Sequence, residues 1–169
     1  EVPLAVLDRP SVKKLEESGA AEIIEAESLR APYKELVAQR YDEVKLTEGQ
    51  QNAVEKINKL VDSGGRHTAL LHGVTGSGKT EVYIRCVRHA LEKGKTALIL
   101  VPEISLAPQL YSTLVSVFGD EIAILHSGLS AGERYDEWRR LRCGRAKIAM
   151  GARSAVFAPL ENIGLIIID

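Results

Sequence analysis

Charge of one sign is what this sequence most plainly lacks. Its 22 Lys and Arg are offset by 23 Asp and Glu, a formal net charge of −1 at pH 7. No global basic field is available to gather nucleic acid, so any such partner must be held by a local patch. Cysteine is scarce too. Cys86 and Cys143 lie far apart with no C-x-x-C spacing, the pattern of idle thiols in a reducing cytosol. No apolar run approaches the roughly 18 residues that span a bilayer, and no signal-peptide pattern is present. Repeats and low-complexity tracts are also missing. What remains is 169 residues, 45% hydrophobic and 27% charged, with 14 Gly and 6 Pro. That is globular composition, enough for one full core and a smaller neighbour, and the expected location is cytoplasmic.

Along the chain the style changes once. "DRPSVKKLEESG" offers Asp8 as N-cap, Pro10 in a first turn, Val12 and Leu15 on one face and Gly19 as terminator, which predicts a short helix. "AAEIIEAESL" reads as a strand or hairpin arm, and the stretch with Pro32 as a linker. From Leu46 a regular alternation begins. The capping box Thr47 with Gln50 starts a helix whose apolar face is Ala53, Val54, Ile57, Leu60 and Val61, ended by Gly64 and Gly65. "TALLHG" is expected as a buried strand, followed by a helix with Val82, Val87, Ala90 and Leu91 inward. Next come "TALILVP" as a strand, a helix opened by Pro108 with Leu110, Leu114 and Val117 on one stripe, and "EIAILH" as a strand. A second capping box, Ser130 with Glu133, opens another helix, and "AKIAMGA" and "IGLIIID" supply the last strands. In that helix, Arg134, Arg139, Arg140 and Arg142 alternate with Asp136 and Glu137 as a solvated face, and Trp138 is expected in the core. Strands apolar on both sides, alternating with amphipathic helices, predict an α/β fold with a mainly parallel sheet covered by helices on both faces. The chain opens without Met and stops on an apolar run, which suggests a piece of something longer.

"GVTGSGKT", Gly73, Val74, Thr75, Gly76, Ser77, Gly78, Lys79 and Thr80, fits G-x-x-x-x-G-K-[ST] between a strand pattern and a helix pattern. Gly73 and Gly78 let successive N–H groups converge on one anion, and the following helix adds its N-terminal partial charge. In such a loop Lys79 meets the β- and γ-phosphates of ATP and the Thr80 hydroxyl meets Mg²⁺. "LIIID" supplies the other half: Asp169 at a strand's carboxyl end, holding Mg²⁺ through water opposite Thr80.

"LTEGQQNAV", "LLHGVTGSGKTEVY", "ALILVPEISLAPQL" and the run from "ILHSGLSAGERYDEWRRLRCGRAKIAM" through "GARSAVFAPLENIGLIIID" resemble consecutive motifs of superfamily 2 DNA helicases, in particular the branch that restarts replication. The resemblance implies a first RecA-like lobe over 46–169, cut at its motif II, a linker over 35–45, and over 1–34 the last part of a winged-helix DNA-binding domain. Lys13 and Lys14 would lie on its recognition helix and could touch duplex phosphates, with an exposed charged face as the default reading of them. It implies that Gln50 reads the adenine edge, and that Lys79 and Asp169 are the catalytic residues of this lobe. The general base and the second lobe with its arginines would follow Asp169, leaving the segment alone inactive. It also implies single-strand contacts at the rim opposite the nucleotide, from the loops carrying Pro102 and Glu103, His126, Ser127 and Gly128, and Arg153 and Ser154. Arg153 has an alternative as an ion-pair partner of Glu103, and His126 as a satisfied strand-end residue. The implied activity is 3′-to-5′ unwinding of DNA in replication restart and primosome assembly in a bacterial cytoplasm. The implied partners are single-stranded and forked DNA, primosome proteins and single-strand-binding protein. Zinc belongs, on this resemblance, to a downstream part and not to this segment. Other readings are a non-catalytic nucleotide- and DNA-binding module, another superfamily 2 translocase and, less well matched, a small-molecule kinase.

Overall fold

The computed structural model describes residues 8–22, 44–102 and 108–169. Helix α1 (Arg9–Glu17) is capped by Asp8, whose carboxylate accepts from the Ser11 N–H at 3.3 Å and the Ser11 hydroxyl at 2.7 Å. Most of the expected hairpin arm and linker, 23–43, lies outside the described residues.

The main body starts with α2 (Glu48–Ser63) and continues through α3 (Lys79–Glu92), β1 (Thr96–Leu100), α4 (Pro108–Phe118), β2 (Ile122–Leu125), α5 (Ala131–Arg142), β3 (Ile148–Gly151) and β4 (Ile163–Ile168). Both capping boxes form: Gln50 N–H donates to Thr47 Oγ1 while Thr47 N–H donates to Gln50 Oε1, and Ser130 and Glu133 repeat the exchange. The strands make one parallel sheet in the order β2-β3-β1-β4.

Strand period sorts the side chains. Ala97, Ile99, Ile122, Ile124, Ile148, Met150 and Ile167 face α3 and α4, which contribute Ile84, Val87, Leu114, Val115 and Phe118 to the larger core. Leu98, Ala123, Leu125 and Ala149 face the other way, onto Leu141 of α5 and Ala155 of the 3₁₀ turn Arg153–Phe157. That second layer is thin because its residues are small. Gly151 permits it: a Cβ there would run into the Leu125 carbonyl and press on Ala155. Cover on this face stops at β4, where Ile166 and Ile168 stay exposed.

Three expectations are corrected. Residues 68–73 are not a buried strand: they join no ladder, and Leu70 is 92% exposed. A cleft of about 640 Å³ separates this segment from β4, with Leu70 and Leu71 on one wall and Ile163–Ile168 on the other. Among the described residues no strand pairs with it, so its backbone forms no ladder there, while Leu71 packs on Val54, Val82 and Cys86. Secondly, Glu137 and Arg140 are not a solvated face but a buried pair, with Glu137 fully inaccessible. They satisfy the outer edge of β2: Ile124 N–H donates to Glu137 Oε2 at 2.8 Å, and Arg140 Nη2 donates to the carbonyls of Asp120 and Ile122 at 2.7 and 3.2 Å. Thirdly, Trp138 is exposed rather than in the core, because the buried stripe of α5 is Glu137, Arg140 and Leu141.

Candidate nucleotide site and sheet rim

The loop 73–78 turns back on itself and delivers the chain into α3. Ser77 N–H donates to the Val74 carbonyl at 3.1 Å. Gly76 and Gly78 both adopt φ +81°, the left-handed region where a Cβ is costly. At Gly78 a Cβ would also strike the Gln50 amide. The N-terminus of α3 has no side-chain cap, so its positive dipole end faces the loop, with the Glu81 N–H donating to the Gly78 carbonyl at 3.0 Å. Lys79 folds over the same loop, its ammonium donating to the carbonyls of Gly73 at 2.9 Å and Val74 at 3.3 Å. Val74, Thr75, Gly76 and Ser77 form its exposed crown. The arrangement is a glycine-rich cradle closed over by its own lysine.

Gln50 is pinned at both ends. Its Oε1 accepts from Thr47 N–H at 2.9 Å and its Nε2 donates to the Ser77 carbonyl at 3.0 Å, bracing α2 against the loop. The structure therefore places Gln50 beside the cradle, with its amide committed to protein atoms.

Asp169 follows β4, its N–H donating to the Leu100 carbonyl at 3.0 Å. Its Oδ1 accepts from the Tyr83 hydroxyl at 2.8 Å. Burial of the phenol, together with that carboxylate, pushes the Tyr83 pKa well above its ordinary 10. Tyr83 lies one turn beyond Thr80 on α3, so the two share a helix face. This hydrogen bond links the loop's helix to the strand-end carboxylate, and sequence reading missed it. A tyrosine three residues after the motif's last position was the available signal. The oxygen donors Thr80 and Asp169 suit Mg²⁺, which takes one or two protein oxygens with phosphates and water filling the rest. Among the described residues no cluster of three or more His, Cys, Asp or Glu could hold a metal by itself.

Register decides where the remaining candidates go. Leu100 pairs with Gly151 and with Ile168, and Leu125 pairs with Gly151, so all four strands end at one level. The residues after them, Pro102, His126, Arg153 and Asp169, thus leave the same sheet edge. The expectation of a rim opposite the nucleotide is corrected: the candidates range along the rim that carries Asp169, about 14 Å from β4 to β2 at the usual strand spacing. Pro102, Ser127, Gly128, Arg153 and Ser154 are exposed there. His126 is half-buried, and its Nδ1 accepts from the Gly128 N–H at 3.0 Å, so that nitrogen serves the loop's own turn. Glu103, and with it the ion pair envisaged with Arg153, lies outside the described residues. Phe157, 83% exposed on the turn that carries Arg153, is a rim residue that sequence reading passed over.

Comparison with known proteins bears on the same residues. The family model of DEAD/DEAH box helicases matches 47–169. Replication restart protein PriA of Bacillus subtilis is 45% identical over 159 residues, covering 94% of this chain and 20% of its own length. The PriA proteins of Synechocystis (44%, covering 94% of this chain and 19% of the relative) and Chlamydia pneumoniae (38%, covering 98% and 22%) align similarly. The chain thus spans about a fifth of the length of these relatives.

Proposed function

The chain belongs to the DEAD/DEAH box helicases, and from that membership we propose that it is the ATP-binding first motor lobe of a DNA helicase acting in replication restart. One observation carries the reading: the cradle at 73–80 opens α3, and Tyr83 of the same helix holds Asp169 at the end of β4. Both halves of a triphosphate site are thereby joined. In this reading the N–H groups of 73–80, with Lys79, bind the phosphates of ATP. Thr80 and, through water, Asp169 would hold Mg²⁺, which would neutralise part of the triphosphate charge. For Lys79 to reach the phosphates it must exchange the Gly73 and Val74 carbonyls for phosphate oxygens. Gln50 contacts adenine only by giving up its bond to Ser77 or by sharing an amide proton.

Pro102, Glu103, His126, Ser127, Gly128, Arg153 and Ser154 are the residues that contact the backbone of single-stranded DNA in this reading. Phe157 offers a face on which a base can stack. Translocation in the 3′-to-5′ direction, forked DNA as substrate, and association with primosome proteins and single-strand-binding protein belong to the same proposal, as does the winged-helix assignment of 1–34. Residues 46–169 by themselves are expected to bind nucleotide weakly or not at all and to show no hydrolysis above background, because the resemblance assigns the base and the facing arginines to other parts of such helicases.

The test is Lys79→Ala in the full-length protein, measured as DNA-stimulated ATPase. Loss of turnover by two orders of magnitude or more is expected from removing the one cation of the cradle. Wild-type turnover would refute the assignment.

A further inference from the structure

We propose that Tyr83 is a positioning residue for the Asp169 carboxylate, a role that rests on the nucleotide site proposed above and extends it to a residue outside the motif. Three observations on the molecule support this.

The phenol is anchored at one end. Its ring is half-buried and packs against the core formed by Ile84, Val87, Ile99 and Leu114, so the hydroxyl reaches the rim on a fixed stem. Among the described residues Asp169 is held otherwise through its backbone N–H, which donates to the Leu100 carbonyl. A short exposed carboxylate can rotate through several rotamers, and the 2.8 Å bond from Tyr83 selects the one leaning toward α3. Finally, Thr80 is three residues before Tyr83 on that helix, so the rotamer chosen brings the carboxylate to the face where Thr80 stands.

Chemistry suits the task. A phenol donates one proton and cannot replace a cation as the charge partner of the carboxylate. With Oδ1 accepting from Tyr83, Oδ2 and the spare lone pair of Oδ1 remain for metal-bound water. Lysine or arginine at position 83 would neutralise Asp169 and compete with Mg²⁺; phenylalanine would leave it unaimed.

The experiment uses Tyr83→Phe in the full-length protein. Binding of a fluorescent ATP analogue is measured in EDTA and across a Mg²⁺ titration, beside Asp169→Asn and the double variant. The half-saturating Mg²⁺ concentration should rise roughly three- to tenfold in Tyr83→Phe, the weight of one partly exposed charge-assisted hydrogen bond. Affinity in EDTA should match wild type. The double variant should be no worse than Asp169→Asn alone, since each substitution removes the same interaction. Additive effects, or a loss in EDTA equal to that in Mg²⁺, would overturn the positioning role in favour of packing. An Asp169→Asn shift with none in Tyr83→Phe would overturn it while sparing the nucleotide site. No shift in either would overturn the Mg²⁺ site itself, and the positioning role with it.

Discussion

Replacing Glu137 with alanine is expected to be among the most damaging single changes in the molecule. The Glu137 side chain is fully buried, with Oε1 accepting from Arg140 Nη1 at 2.6 Å and Oε2 accepting from the Ile124 N–H at 2.8 Å. Removing it leaves a nearly buried guanidinium without its counter-charge and an edge-strand N–H without an acceptor. Breaking a buried pair by deleting one partner costs about 3–5 kcal/mol, and the stranded amide lies within that figure rather than beyond it. Arg140 keeps the Asp120 and Ile122 carbonyls, which pulls the expectation toward about 3 kcal/mol. For a domain of this size that is a fall in melting temperature of roughly 6–12 °C. Glu137→Gln keeps the volume and one acceptor, but it also removes the counter-charge and sets its amide NH2 against either the Arg140 guanidinium or the Ile124 N–H, donor against donor, so it should cost about as much, roughly 3 kcal/mol. Urea melts followed by circular dichroism measure both, with the slope checked for constancy so that midpoints report stability. A loss below about 1 kcal/mol for Glu137→Ala would refute the claim that this pair closes the edge of β2.

Two further outcomes follow from the titratable groups. Burial pushes the Cys86 thiol up to about 12, whereas Cys143 is exposed, so a thiol reagent at pH 8 should modify one cysteine of the native protein and two of the denatured one. Rapid reaction of both in the native state would contradict the packing of α3. The Asp62 carboxylate is held below its ordinary 3.8, chiefly by the hydrogen bond from His89 at 2.9 Å and further by Lys93. A depressed folded value adds stability above the unfolded pKa and loses it as pH falls through the folded one. The difference in stability between wild type and Asp62→Asn should therefore shrink as the pH falls through and below the ordinary 3.8; a constant difference would show that the contact carries no charge coupling.

Much of this was legible in the residues because it is local. The capping boxes at Thr47 and Ser130, the glycine terminator at Gly64, the proline start at Pro108 and the continuous apolar runs of β1 to β4 all act within a few positions, and each formed where expected. The cradle at 73–80 is local in the same sense. The failures share a cause. Residues 68–73 have a strand's composition, but whether they join a sheet depends on a partner's edge being adjacent, and here a cleft intervenes. Arg140 and Glu137 have a surface's composition, yet they are buried because α5 lies along an edge strand whose N–H and carbonyl groups need partners. Trp138 is exposed by the same choice of face.

The sequence by itself determined the repertoire: helices, parallel strands, a glycine-rich loop before a helix and a carboxylate at a strand's end, all set by backbone geometry and side-chain period over short distances. Only tertiary structure decided the meetings. Parallel register brought the ends of β2, β3, β1 and β4 to one level and put Asp169 on the same rim as the loops of Pro102, His126 and Arg153. Packing of α3 on the sheet then carried the Tyr83 hydroxyl across 86 positions to Asp169. No spacing rule encodes such a contact, because it depends on how rigid elements stack and not on the chain between them.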